Sequence, residues 1–138
     1  MIIDKFLQVS NEQTVTATAA STDTIDFGQS NPDTGAHCHS PSMVITVDQA
    51  ATAAGAATVT FAVQDSADNS SFADVAVTAA IGKATLIAGH QIVIPMPAQH
   101  RRYVRVNYTV ATGPLTAGKF SAQVVVGYQQ NVARPDAL

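Results

Sequence analysis

Two stretches decide the fold of this chain: Thr58-Val-Thr-Phe-Ala-Val-Gln64 and Arg102-Tyr-Val-Arg-Val-Asn-Tyr-Thr-Val110. In the first, every second residue from Val59 to Val63 is large and apolar, and in the second the same spacing runs from Val104 to Val110. Alternation of β-branched and aromatic residues with polar ones is typical of a strand that buries one face. We therefore predict that both stretches are strands whose apolar residues face inward.

Weaker runs of the same kind predict further strands, near residues 3–9, 13–18, 23–27, 43–48, 73–78, 84–87, 91–95 and 119–128. Between them lie turn-forming segments such as Asn31–Gly35 and Asp65–Ser70. The Ala-rich segment 50–57 contains Gly55 and lacks helical periodicity, so we expect it to be at most a helical turn or a loop. Many short strands at intervals of about ten residues predict an all-β fold, an antiparallel β-sandwich or jelly roll of about eight strands.

The length of 138 residues fits one domain with a single core. We predict that residues 1–130 form this domain and that residues 131–138, which show no alternation, are a C-terminal tail. The stretch from Gly28 to Ser42 has no periodicity and predicts a long surface loop. The single cysteine, Cys38, cannot form an intrachain disulfide, which suits a protein made in a reducing cytoplasm.

Composition argues against several classes of function. A net charge of −3 argues against a protein that grips nucleic acid. The N-terminus lacks the pattern of a signal peptide, and no apolar run is long enough for a membrane-spanning helix, so we expect no membrane partner. Charged residues make up only 12% of the chain. This low fraction indicates either a surface that is covered in an assembly or a surface built from neutral polar residues.

Three segments carry a resemblance to a known family. They are Gln13–Gly28, a Thr- and Ala-rich stretch that ends in Ile-Asp-Phe-Gly, then Ala53–Phe72, and then Arg102–Gly118. In order and spacing they resemble the jelly-roll capsid cement (decoration) proteins of short-tailed bacteriophages of the Bordetella phage type. The resemblance implies a jelly roll, a homo-oligomer (a dimer or a trimer), and attachment to the major capsid protein on the outer surface of the virion. It implies no catalytic residues.

Two other functions remain open, and the first is a jelly-roll module that binds a carbohydrate or a receptor. The segment Asp65–Phe72 followed by Arg102–Val106 is similar to the layout of discoidin-like carbohydrate-binding modules, which are also jelly rolls. Sugar platforms use exposed aromatic residues, whereas this chain has no Trp and only three Tyr. The second alternative is a structural protein of the phage tail or neck.

Arg101, Tyr103 and Arg105 are the first candidates for a partner interface. Alternation places them together on the outward face of a strand, in a chain with only seven Lys and Arg residues. Their guanidinium groups are suited to carboxylates on a neighbouring capsid protein. The alternative is a solvated sheet face with one or two intrachain salt bridges.

The N-terminal residues Ile2, Ile3 and Phe6, followed by Leu7, are the second candidates, because they form a concentrated apolar segment where chains normally fray. We expect this segment to dock as a strand in its own sandwich. The alternative is that it pairs with a neighbouring chain by strand addition.

Neither of two possible metal motifs is complete. The pair in His37-Cys-His39 lacks the further ligands of a closed zinc site. The acidic cluster of Asp65, Asp68 and Asn69, with Asp74 beyond, does not have calcium-loop spacing, and such residues usually form turns. No nucleophile motif, paired carboxylates or phosphate-binding loop stands out. We therefore expect no cofactor and no enzymatic activity.

Overall fold

The computed structural model of the protein describes residues 2–34 and 40–129. This part of the chain contains a short 3-10 helix, Lys5–Leu7, and ten strands. The strands are β1 (Gln8–Thr14), β2 (Ala19–Ala20), β3 (Ile25–Asp26), β4 (Ser42–Thr52), β5 (Thr58–Ser66), β6 (Ala73–Val77), β7 (Ile81–Gly82), β8 (Gln91–Pro95), β9 (Tyr103–Ala111) and β10 (Ala117–Val125). None of the helices in these two ranges is long and apolar enough to cross a membrane.

The strands form two antiparallel sheets. The small sheet has the order β1-β10-β4-β8, and the large sheet has the order β2-β9-β5-β6, with β3 also on β9 and β7 also on β5. Since β2 and β3 share one partner, as do β6 and β7, the ten strands occupy eight positions. In chain order these positions read 1-8-3-6 and 2-7-4-5, which is the arrangement of a jelly roll. The predicted fold class is confirmed.

The two stretches that predicted the fold are paired with each other at the centre of the large sheet. Strands β5 and β9 run in unbroken antiparallel register from Thr58 opposite Ala111 to Ser66 opposite Tyr103. Val59, Phe61 and Val63 are completely buried. On β9 the predicted inward face is also confirmed from Val104 through Tyr108, and only Val110, near the end of the strand, is partly exposed.

Three aromatic side chains join the two sheets across the core. Phe61 of β5 and Tyr108 of β9 meet edge to face, with ring centroids 5.8 Å apart. Phe120 of β10, in the opposite sheet, lies 5.5 Å from Phe61 and 5.7 Å from Tyr108. The Tyr108 hydroxyl donates a hydrogen bond of 2.8 Å to Ser10 Oγ on β1. The polar end of this aromatic residue is therefore satisfied inside the core.

Three of the predicted strands differ from the structure. Of the run 13–18, only Gln13 and Thr14 are in a strand, at the end of β1, and residues 16–18 form a bend. Residues 84–87 form turns, closed by the Leu86 N–H donating to the Lys83 carbonyl, and Leu86 is fully buried. This apolar residue anchors a loop to the core, which a short alternating pattern cannot distinguish from a strand. In the run near residues 3–9, the 3-10 helix replaces the expected strand, and pairing begins only at Gln8. The Ala-rich segment forms no helix, because β4 extends into it as far as Thr52.

Candidate interaction surfaces

The N-terminal segment presents apolar side chains to solvent instead of docking as a strand. The Asp4 carboxylate accepts a hydrogen bond of 2.9 Å from the Phe6 N–H, and the Leu7 N–H donates to the Asp4 carbonyl. This capped turn uses the backbone groups that a strand would need for pairing. Leu7 packs against the core, whereas Phe6 is 88% exposed and Ile2 is 97% exposed. The expected strand docking of this segment is therefore wrong.

Val126 is a further exposed apolar residue, and it lies beside this segment. Ile2 lines a shallow depression together with Val126, Gly127 and Gln129, directly after the end of β10. Val126 is 64% exposed, and Ile3 is about half exposed. We refer to Ile2, Ile3, Phe6 and Val126 as the N-terminal patch. Its members share a large apolar side chain with extensive exposure, and the segment is held in place by Asp4 and Leu7.

Arg101 is engaged inside the chain. Its side chain forms an ion pair with Asp65, with Nη2 at 2.6 Å from Oδ1 and Nε at 2.8 Å from the same oxygen. Its backbone N–H donates to Asp65 Oδ2 at 2.8 Å, and Nη2 also donates to the Asp65 carbonyl. Burial of the Asp65 carboxyl raises its pKa, but these hydrogen bonds outweigh burial, and the net pKa lies below its ordinary value. The guanidinium of Arg101 is therefore committed to its own chain.

Arg105 lies on the outward face of β9, as alternation predicted. Its guanidinium stacks over the Phe72 ring at 3.7 Å from the centroid, and Nε donates to Gln64 Oε1 at 2.9 Å. Gln64 in turn donates to Asp74 Oδ1 at 2.7 Å. Stacking and hydrogen bonding hold the guanidinium in one orientation on this face. Its suitability for a partner carboxylate remains a prediction.

Tyr103 lies beside a second ion pair that the sequence analysis did not single out. Arg102 is placed 5.1 Å from the Tyr103 ring centroid and binds the Asp26 carboxylate with both Nε, at 2.7 Å, and Nη2, at 2.9 Å. Asp26 also accepts from the N–H of Gly28, whose φ of +78° suits only glycine well. The hydrogen bond from Arg102 is the main cause that lowers the pKa of Asp26 to about 2.

The acidic cluster after β5 forms turns, as expected for such residues. Asp68 Oδ1 accepts hydrogen bonds from the Ser70 and Ser71 N–H groups and from the Ser66 hydroxyl. These bonds, led by the one from Ser71, lower the pKa of Asp68 to about 2. Asp65 and Asp74 are held by Arg101 and Gln64, so the carboxylates do not converge on one point.

The histidines give no metal centre in residues 2–34 and 40–129, where no group of three or more His, Cys, Asp and Glu residues is placed to hold an ion. His100 is buried, and its two ring nitrogens lie within hydrogen-bond distance of Thr34 Oγ1 and of the Arg101 carbonyl. The motif at residues 37–39 lies outside the described residues, as does the predicted tail, 131–138.

These features define the class of the protein: a small all-β jelly roll in which Arg101, Arg102 and Arg105 are held by contacts within the chain and the N-terminal segment exposes apolar side chains. The chain belongs to the Bbp16 family, whose model matches residues 9–124. This is a family of Bordetella phage proteins, so the chain is a phage-related protein. Comparison with curated proteins gave no match.

Proposed function

We propose that this protein is a structural virion protein that binds the outside of an assembled phage capsid lattice and stabilises it as cement. The exposure of the N-terminal patch carries the proposal, and membership of a phage protein family supports it. Ile2 and Phe6 stand in solvent on a segment that Leu7 and Asp4 anchor. Exposed apolar side chains that lie next to one another, as Ile2 and Val126 do, are typical of protein contact sites.

The proposed partners are the major capsid protein and further copies of this chain, as a dimer or trimer. A protein that binds the assembled lattice better than the open one stabilises the lattice by mass action. An oligomer that bridges several capsid subunits gains from effective concentration, so each contact can be modest. A jelly roll with an interlocked core loses little conformational entropy on docking. In this role the protein needs no cofactor and catalyses no reaction.

The test compares the binding of purified variants to phage heads that lack the protein. Ile2→Ser combined with Phe6→Ser removes two exposed apolar side chains without touching the core, and we expect affinity for heads to fall by about tenfold or more. The matched control is Ile87→Ser, which removes an exposed isoleucine from the loop between β7 and β8. Equal binding by the double variant and the control would contradict the proposed contact.

A further inference from the structure

A polar pocket lies on the outer face of the small sheet, away from the core. It is a cavity of about 310 Å³ to which all four strands contribute. Its lining residues are Ile3, Gln8, Asn11, Glu12, Thr46, Asp48, Gln91, Ser121 and Gln123. The strand register explains the arrangement, because Ser121, Thr46 and Gln91 form one row across β10, β4 and β8. Side chains in one such row point to the same face of the sheet.

The carboxylates of Glu12 and Asp48 give this pocket its charge, and no Lys, Arg or His among the described residues lines it. Lys5 Nζ donates to Oε1 of the lining residue Gln8 at 3.5 Å. The hydroxyl of Ser121 is already occupied, since it donates to Asp48 Oδ2 at 2.7 Å and accepts from the Glu12 N–H at 2.9 Å. Burial, followed by the negative charge of Glu12, raises the pKa of Asp48 above its ordinary value, and these two causes outweigh the hydrogen bond from Ser121 and the positive charge of Lys119. Neither Glu12 nor Asp48 forms a salt bridge within residues 2–34 and 40–129.

Two side-chain oxygens in the lining have no hydrogen-bond partner among residues 2–34 and 40–129. Gln123 is only 1% exposed, and its Oε1 is buried without a hydrogen bond. Gln91 Oε1, on the edge strand β8, is buried and without a hydrogen-bond partner in these residues as well. An acceptor that is buried without a donor is destabilising. A ligand that brings N–H groups into the pocket satisfies these oxygens once the two amide side chains turn toward the cavity.

The lining of the pocket favours a planar organic cation over a metal ion. Ca²⁺ takes about six to eight oxygen ligands. The pocket has only two carboxylates, and no group of three or more His, Cys, Asp and Glu residues in the described part of the chain is placed to hold an ion. A guanidinium group presents five N–H donors in a fork and can contact a carboxylate and several carbonyl oxygens together. The volume is near the lower limit for ligand pockets, which suits one side chain.

We propose that this pocket binds the guanidinium group of an arginine side chain on a partner protein. The identity of the partner, the capsid lattice, rests on the proposed function; the preference for a guanidinium group does not. The pocket adds a charged, directional contact to the apolar contact of the N-terminal patch. Ile3, which belongs to that patch, also lines the pocket, so the two contacts are adjacent.

The direct test titrates the full-length ¹⁵N-labelled protein with N-acetyl-arginine amide at low salt. We expect saturable shifts in the side-chain amide signals of Gln91 and Gln123 and in the backbone amides of Thr46 and Ser121. Asp48→Asn keeps the acceptor for Ser121 but removes the charge, and should weaken binding by about tenfold or more. The matched control, Asp74→Asn, removes the same charge from the large sheet and should bind as the wild type does.

Three results would overturn the inference: shifts scattered over the surface, equal binding by Asp48→Asn and the control, or saturation by CaCl₂ in place of the arginine probe. If Asp48→Asn loses signal dispersion, Glu12→Gln replaces it as the variant. Head binding then separates this inference from the proposed function. An Asp48→Asn protein that loses the probe but occupies heads normally would refute a lattice arginine alone. A wild type that binds the probe but not heads would refute the cement role.

Discussion

Asp65 is a charged residue at an inward-facing position of β5. It follows Val59, Phe61 and Val63 on the buried face and is 4% exposed. A carboxylate in this position is stable only with a partner, and Arg101, just before β9, supplies one. Extending the alternation by one step would have predicted a buried Asp65. The sequence pattern alone could not identify Arg101 as its partner, because nothing in it sets the path of the chain before β9.

The Asp65 ion pair predicts a pH-dependent contribution to stability. Since the pKa of Asp65 is lowered in the folded state, the stabilisation is present above its unfolded value, about 3.9. It is lost as the pH falls through the folded pKa. At pH 7 we expect Asp65→Asn to lower the free energy of unfolding by about 1–2 kcal/mol.

The measurement is urea denaturation of wild type and Asp65→Asn across this acidic range. The difference in free energy of unfolding between wild type and Asp65→Asn should narrow as the pH falls and the Asp65 carboxylate of the wild type becomes protonated. Asp23→Asn, at an exposed carboxylate, serves as the control. A gap that stays constant from pH 7 into the acidic range would show that Asp65 does not act through its charge.

The aromatic residues of the core predict two effects of different size. Tyr108→Phe removes only the hydrogen bond to Ser10 and should cost about 1 kcal/mol of unfolding free energy. Phe120→Ala removes the ring that joins the two sheets and should cost about 3–5 kcal/mol. Chemical denaturation checks both values. Similar losses for the two variants would mean that the aromatic contacts between sheets contribute little.

Among the elements, β5 and β9 were predictable because each buries one complete face. The alternation of apolar and polar residues is therefore visible in the sequence over the full length of each strand. The segment Lys5–Leu7 was not predictable in the same way, since its apolar residues are divided between the core and solvent. The capping residue Asp4 was the available signal, because a side chain that accepts a backbone N–H favours a turn over a strand.

Substitutions at Phe6 and Leu7, which are neighbours in this turn, should differ in the size of their effect on stability. Leu7→Ser exposes a residue that packs on the core and should lower the free energy of unfolding by about 1 kcal/mol. Phe6→Ser should change it by less than about 0.5 kcal/mol, because the ring is already in solvent. Thermal and chemical denaturation provide the comparison. A large loss in Phe6→Ser would mean that the ring packs on its own chain, leaving no apolar patch for a partner.

For the whole molecule, composition and alternation predicted the fold class, while the connections among strands came only with the structure. The pocket on the small sheet was not predicted, because its residues come from four strands that are distant in sequence. The outward polar positions of β10 were visible in the sequence, but no pattern showed which strands lie beside them. Alternation predicted that Arg105 lies on the outward face of β9, but the ion pairs of Arg101 and Arg102 depend on Asp65 and Asp26, which are distant in sequence.

The cement role predicts a change in the mechanical stability of particles. Heads depleted of the protein should rupture at a lower temperature than complete heads, and adding back the purified protein should restore the difference. Adding back the Ile2→Ser and Phe6→Ser double variant should restore less. Rupture followed by the release of packaged DNA provides the measurement. Equal rupture temperatures for depleted and complete heads would show that the protein does not brace the shell.

The copy number of the protein on purified heads and purified tails, measured by quantitative mass spectrometry against the major capsid protein, tests the central claim most directly. A jelly roll that binds the outside of the capsid lattice should be present in hundreds of copies, all in the head fraction. A dozen copies or fewer, or recovery in the tail or neck fraction, would contradict it.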